Sequence, residues 1–243
     1  MPEKHARSPR TPVRLVLRTS GLLLARDGLE NRDVRDQERH DGSHRDAQRV
    51  GAHEAPEMNR RAGDATFTIG HSTRTLAEFV SLLRQVDATL LVDVRSIPRS
   101  RTTPQFNWDT LPDSLAARGI GYRHLSTLGG RRHRRKGAPP SVNMYWRVAA
   151  FRNYADYAET EEFRVGLDAL RAFAGADRCA IMCAEAVWWR CHRRIITDYL
   201  LAGGSSVEHI MGPGQVVQAT LTPGVRVMAD ETLRYSAPEE SSP

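Results

Sequence analysis

Two thiols, an imidazole, a carboxylate and a guanidinium lie close together in the C-terminal half of the sequence. They belong to Cys183, Glu185, Cys191, His192 and Arg193. Cys183 ends a strand predicted for 178–183, and Cys191 lies near the start of a helix predicted for 189–202. A helix N-terminus and neighbouring arginines lower the pKa of a thiol, which favours a nucleophilic thiolate near neutral pH. We therefore predict Cys183 as a nucleophile or redox centre.

The cysteines also have a purely structural interpretation. Cys183 is small enough for a buried core position, and Cys191 shares an apolar helical stripe with Ile195 and Tyr199. Cys179, in the middle of the predicted strand, is expected in the core. The sequence is therefore compatible with either a catalytic or a structural role for Cys183 and for Cys191.

The pattern around these residues alternates between strands and helices, which predicts an α/β domain with crossover helices. Strands are predicted at 66–69, 89–94, 121–125, 178–183 and 206–211, and helices after Thr75, over 109–118, after Thr160 and over 189–202. We expect a three-layer domain with a mainly parallel sheet over residues 65–221. Disordered tails are expected at 1–64 and 222–243, because they offer little apolar surface to bury.

Polar residues follow four of the predicted strands, where the chain leaves the sheet. They are His71 and Ser72, Asp93 and Arg95, Arg123 and His124, and Cys183 with Glu185. In a parallel sheet the carboxyl ends of the strands meet at one edge, where loops and helix N-termini face a ligand. We therefore predict one site there, with His71 as general acid or base and Asp93 and Glu185 orienting its partners. The alternative role for each of these residues, taken alone, is a hydrogen bond that fixes a loop.

Basic residues beside this edge indicate an anionic ligand. The ligand-binding candidates are Ser72, Arg95, Arg99, Arg123, Arg131 and Arg193. The run 131–136 contains five Arg or Lys in six residues, which is typical of a phosphate contact or of a solvated loop. The whole chain has 35 Lys and Arg against 29 Asp and Glu, a formal net charge of +6, so anionic partners are favoured.

A zinc site is the main alternative that involves a cofactor. Soft ligands are available from Cys183, Cys191, His192 and His71. If Cys191 and His192 lie on the predicted helix, however, their side chains diverge by about 100°, so both bind one ion only with distortion. We therefore predict no cofactor, with zinc as the alternative.

Seven short motifs follow one another along the chain. They are Thr68 to Ser72, Asp93 to Ser100, Pro104 to Phe106, Tyr122 to Leu125, Leu128 to Gly130, Met182 to Glu185 and Cys191 to Arg193. Together they resemble the domain-of-unknown-function 488 family over about residues 66–211. The resemblance implies a compact α/β domain in which these motifs gather at one site, and it implies no particular reaction.

Composition limits the possible classes of protein. Hydrophobic residues make up 40% and charged residues 26%, and the longest apolar run near the start, 22–25, is far shorter than the ~20 residues of a membrane span. We therefore expect no membrane partner. Three cysteines, an odd number, do not form a disulfide framework, so we expect a cytoplasmic protein. The sequence carries no signal for an oligomeric state.

The leading hypothesis is an enzyme acting on a phosphorylated or nucleic-acid-derived anion at the carboxyl edge of the sheet. One alternative is a module that binds a nucleotide or nucleic acid without catalysis. The other is a metal-stabilised interaction domain.

Overall fold

The computed structural model describes residues 65–237; the predicted N-terminal tail, 1–64, and residues 238–243 lie outside that part. A six-stranded sheet forms its centre. The strands are β1 (Thr66–Gly70), β2 (Leu90–Asp93), β3 (Gly121–His124), β4 (Cys179–Cys183), β5 (Val207–Gly212) and β6 (Gln215–Gln218). Their order is β3-β2-β4-β1-β5-β6, with the first five parallel and β6 antiparallel to β5. The predicted α/β class with a mainly parallel sheet is confirmed.

Helices cover both faces of the sheet. They are α1 (Leu76–Arg84), α2 (Leu111–Ala116), α3 (Ala149–Ala158), α4 (Glu161–Ala176) and α5 (Arg193–Ala202). Because side chains alternate along a strand, Leu91 of β2 packs with α1 and α2, whereas Val92 packs with α3, α4 and α5 on the opposite face. The sheet is thus the middle of three layers. No helix among residues 65–237 combines the length and the apolar character that crossing a bilayer requires.

Capping residues start two helices where the sequence predicts them. Thr75 accepts a hydrogen bond from the backbone N–H of Glu78 at 3.2 Å, and the Glu78 carboxylate accepts one from the Thr75 N–H at 2.8 Å. The Thr160 hydroxyl accepts a hydrogen bond from the N–H of Phe163 at 3.4 Å at the start of α4. Local hydrogen bonding therefore fixes both helix starts.

The helix predicted for 189–202 is interrupted. Residues Trp188–Arg190 form a 3-10 turn, and α5 begins only at Arg193. Between them Cys191 has extended backbone torsions, φ −125° and ψ 146°, and its N–H bonds to the carbonyl oxygen of Trp188 at 3.1 Å. Cys191 and His192 therefore precede α5 instead of lying on it, and the orientation expected of consecutive helical residues does not apply to them.

The predicted C-terminal tail is wrong for residues 222–237. Strands β7 (Val225–Val227) and β8 (Leu233–Tyr235) pair antiparallel, and Leu233 and Tyr235 have no exposed surface. The Tyr235 hydroxyl donates to the Asp198 carboxylate of α5 at 3.0 Å. This hairpin completes the hydrophobic core on the side of α3 and α5, so the domain does not end at residue 221.

Replacing Tyr235 with Phe should lower the free energy of unfolding by about 2 kcal/mol, because the change removes a buried hydrogen bond to a carboxylate and keeps the ring. Urea denaturation followed by circular dichroism measures the change. Arg234→Gln is the matched control on the same strand: its side chain is 44% exposed, and stability should stay nearly unchanged. Equal stability of Y235F and the wild type would show that the hydrogen bond to Asp198 does not stabilise the fold.

Candidate functional site

A cleft of about 650 Å³ opens where β1, β2 and β4 end. The parallel register places Gly70 of β1 beside Cys183 of β4, so the segments that follow the two strands leave the sheet together. The N–H of His71 donates to the carbonyl oxygen of Cys183 at 3.0 Å and continues this pairing beyond the strands. The cleft therefore lies at the edge of the sheet where the sequence predicts a site.

Nine predicted site residues line this cleft. They are His71, Ser72, Arg95, Arg99, Arg131, Cys183, Glu185, Cys191 and His192. Three others do not line it. Asp93 is fully buried and bonds to Arg95, while Arg123 lies on β3 and donates to the carbonyl oxygen of Tyr122 at 3.1 Å. Arg193, predicted to bind the ligand, is only 1% exposed and bonds to protein atoms.

Cys183, Cys191 and His192 form a compact group, the sulfur–imidazole cluster, in the wall of the cleft. The two Sγ atoms and the imidazole Nδ1 all lie within 4.8 Å of one another. Nδ1 is 3.6 Å from the sulfur of Cys191 and 3.9 Å from that of Cys183. The other nitrogen, Nε2, lies 3.0 Å from the carbonyl oxygen of Val94. Since a carbonyl only accepts, Nε2 carries a proton, and Nδ1 can accept a thiol proton or bind a metal ion.

The two thiols share their protons unequally. The hydrogen bond with Cys191 and burial raise the pKa of Cys183 well above its ordinary value. Burial alone would also raise the pKa of Cys191, but the hydrogen bond from Cys183 and the neighbouring His192 and Arg193 hold it well below the ordinary range. These opposite shifts make Cys191 the more acidic thiol of the pair, with Cys183, the predicted nucleophile, as the hydrogen-bond donor to it.

Arg193 supports the cluster from inside the protein. Its Nε donates to the sulfur of Cys191 at 3.3 Å, and its Nη2 donates to the carbonyl oxygen of Glu185 at 2.6 Å. These two bonds connect the first turn of α5 to the loop after β4. A buried guanidinium in this position stabilises negative charge on sulfur without occupying the cleft.

A second network holds the opposite wall of the cleft. The Asp93 carboxylate accepts from Arg95 Nη2 at 2.6 Å and from the Tyr122 hydroxyl at 2.8 Å. Arg95 Nη1 lies 3.1 Å from His71 Nε2, and His71 Nδ1 lies 2.9 Å from the carbonyl oxygen of Ser72. Because the guanidinium only donates and the carbonyl only accepts, His71 is protonated on Nδ1 and accepts at Nε2.

This arrangement bears on the acid–base role predicted for His71. Burial, with the charge of Arg95 contributing, lowers the pKa of His71 to about 4, although the bond to Ser72 opposes the change. The ring also stacks on Phe106 at a centroid distance of 4.3 Å. His71 is thus neutral near pH 7 with both nitrogens already bonded. The geometry favours a positioning role over proton transfer to a ligand.

Three exposed arginines border the cleft. They are Arg99, Arg131 and Arg190. Among the described residues their side chains have no hydrogen-bond or ion-pair partner. Two residues of the basic run differ: Arg132 donates to the carbonyl oxygens of Ser126, Thr127 and Gly129, and Arg134 donates to those of Ala138 and Pro139. Two of the five positive charges in run 131–136 therefore bond to nearby backbone.

Two further cleft residues, Arg190 and Gly130, affect the chemistry of the site and were not among the predicted site residues. Arg190 lies in the 3-10 turn, and its position in the cleft depends on the interruption of the predicted helix. Gly130 lies directly against the His192 ring, where a side chain would collide with the imidazole. The Gly129-Gly130 pair within a matched motif was the available signal for this close approach.

The fold and the cleft define an α/β protein with a thiol-lined cleft at the carboxyl edge of its sheet. The family model described as "Domain of unknown function DUF488" matches residues 75–200, more than half of the chain, so the protein belongs to this family. Comparison with curated proteins gave no match, and comparison with solved structures gave none either. The match includes Asp93, Arg95 and the whole sulfur–imidazole cluster, and it begins after His71.

Proposed function

We propose that this protein is an enzyme that acts on a phosphorylated or nucleic-acid-derived anion in the cleft, with the sulfur–imidazole cluster as its reactive centre. The observation that carries the proposal is the meeting of two thiols and an imidazole nitrogen in the wall of a cleft bordered by arginines. Nucleophilic and metal-assisted enzymes both use such groups. A module that only binds its ligand has no need of them there.

The arginines support an anionic substrate. Arg99, Arg131 and Arg190 present exposed guanidinium groups around the cleft, and none of them forms an ion pair with a carboxylate of the described residues. Guanidinium groups bind phosphate through paired charge-assisted hydrogen bonds. A cleft of about 650 Å³ is in the range of small-molecule sites, so a mononucleotide or the end of a strand is accommodated better than a duplex.

The remaining cleft residues divide into two roles. Glu185 is exposed at the mouth two residues after Cys183, so its carboxylate is placed to exchange protons with a bound substrate. Asp93, Arg95 and His71 hold the opposite wall and act as positioning residues. The enzyme is proposed to work in the cytoplasm, where reducing conditions keep Cys183 and Cys191 as thiols.

The proposal predicts turnover of a small panel: p-nitrophenyl phosphate, the nucleoside 5′-monophosphates and short single-stranded oligonucleotides. At least one of them should be converted, and Cys191→Ser should lower kcat/KM at least about 100-fold, because the change removes a group of the reactive centre. Arg190→Ala should raise KM about tenfold, the effect of one lost charge-assisted contact. Arg118→Ala is the matched control, since Arg118 is exposed outside the cleft.

Two results would overturn the proposal. Conversion that survives Cys191→Ser would exclude the cluster as the reactive centre. Saturable binding of a panel member with no conversion of any of them would favour the binding-module hypothesis.

A further inference from the structure

The spacing of the cluster atoms matches the edges of a metal coordination polyhedron. Zinc binds thiolate sulfur at about 2.3 Å and imidazole nitrogen at about 2.0–2.1 Å in tetrahedral geometry, which places a sulfur and a nitrogen ligand about 3.5 Å apart. The observed separations are 3.6 Å from His192 Nδ1 to the sulfur of Cys191 and 3.9 Å to that of Cys183. The third separation, between the two sulfurs, is within 4.8 Å.

The surroundings already orient the ligand atoms. The hydrogen bond from His192 Nε2 to the carbonyl oxygen of Val94 directs the Nδ1 lone pair towards the sulfurs, as outer partners of metal-bound histidines do. The bond from Arg193 Nε supports negative charge on the sulfur of Cys191. Gly130 leaves the space that the imidazole ring occupies. Such prior orientation reduces the entropy that an ion's binding must overcome.

The ligand set selects the kind of ion. Two sulfurs and one imidazole are soft or borderline ligands, which favour zinc over the hard cations magnesium and calcium. Two thiolates balance the charge of a divalent cation, so a buried cluster with the ion bound is neutral apart from Arg193. The objection from the sequence, divergence of Cys191 and His192 on a helix, does not hold because both precede α5.

We propose that Cys183, Cys191 and His192 bind one zinc ion through Sγ, Sγ and Nδ1, with a fourth coordination position open to the cleft. All three residues line the cleft. His71, the fourth ligand considered from the sequence, has both nitrogens bonded to Arg95 and Ser72 and lies outside the cluster. Three protein ligands with an open position are typical of catalytic zinc, whereas structural sites have four.

Zinc binding stands independently of the proposed function, and only the catalytic use of the ion rests on it. The open position admits water or a substrate atom on the side where Arg99 and Arg190 border the cleft. A bound water loses a proton more readily than bulk water, and the Glu185 carboxylate at the mouth of the cleft is placed to accept it. The ion would thereby supply a hydroxide beside an anionic substrate.

Binding of zinc itself to the full chain is the first test. Chelator-treated protein should take up one zinc per chain in equilibrium dialysis, and cobalt in its place should give the near-ultraviolet absorption of thiolate-to-cobalt charge transfer. Cys183→Ser, Cys191→Ser and His192→Ala should each weaken zinc binding at least about 100-fold, more than loss of an outer partner typically does. Gly130→Ala should weaken it without removing a ligand, because its methyl group displaces the His192 ring.

Cys179→Ala is the matched control, because Cys179 lies on the same strand as Cys183 with its thiol outside the cluster. It should bind one zinc with unchanged affinity, and circular dichroism would establish that each variant is folded. Stoichiometry well below one zinc per chain, or unchanged affinity in folded Cys191→Ser protein, would overturn the site. Zinc binding without turnover of any panel substrate would refute the proposed function and leave the zinc site in place.

Discussion

Replacing Asp93 with Ala should lower the free energy of unfolding by about 3 to 5 kcal/mol, because it leaves the charge of Arg95 buried without its partner. Asp93 is 0% exposed and Arg95 6% exposed, and their closest approach is 2.6 Å. The same carboxylate also accepts a hydrogen bond from the Tyr122 hydroxyl of β3. Urea denaturation of the wild type and the variant, monitored by circular dichroism, gives the difference.

Two further variants separate the buried charge from other causes. Glu161→Gln breaks an ion pair with Arg164 on the exposed surface of α4, and stability should remain nearly unchanged because solvent screens that pair. The double variant Asp93→Ala/Arg95→Met should lose less stability than Asp93→Ala alone, since no unpaired charge stays buried. If the single and double variants were equally unstable, lost packing instead of the unpaired guanidinium would explain the effect.

The centre of the sheet was predictable because β2 and β4 are nearly continuous apolar runs. Leu90–Asp93 and Cys179–Cys183 are buried at every position, and such runs are typical of central strands covered on both faces. Helix α3 was not predicted; its buried residues are Tyr154, Ala155 and Ala158, and two alanines offer little apolar surface to indicate a buried face. Strand β8 has only three residues, so Leu233 and Tyr235 were too few to indicate burial.

The location of the site was predictable, but its atomic contacts were not. Parallel strands necessarily bring their carboxyl ends together, which placed His71, Arg95 and Cys183 at one cleft. The pairing of Cys191 with Cys183 depends on the 3-10 turn at Trp188–Arg190, whose sequence also fits a continuous helix. His71 is hydrogen-bonded at both nitrogens because Arg95, which follows a different strand, reaches its Nε2. Contacts between residues distant in sequence leave no periodic pattern.

Cys191 should titrate as the thiolate of the pair. In chelator-treated protein, alkylation of Cys191 by iodoacetamide should have a pH midpoint below the value of about 8.5 for a free thiol. The alkylation rate follows the thiolate fraction. With a lowered pKa, Cys191 therefore reacts at more acidic pH than a free thiol, and its rate falls only when the pH drops below the shifted midpoint. Trypsin cleaves after Arg190, so the Cys191 peptide separates from the one that contains Cys179 and Cys183, and mass spectrometry measures each rate.

The pH midpoint distinguishes the two thiols better than the absolute rate does. Cys191 is 2% exposed and Cys183 8%, so limited access of the reagent slows alkylation of both. After Cys191→Ser, the remaining Cys183 thiol loses its charged partner but stays buried, and its midpoint should lie above about 8.5. At pH 6.5 the total alkylation rate should then fall at least about tenfold relative to the wild type. Cys183→Ser, which keeps a hydroxyl donor beside Cys191, should shift the Cys191 midpoint only slightly. A wild-type midpoint at or above that of a free thiol, or a low midpoint found on Cys183, would reverse the assignment and restore Cys183 as the thiolate.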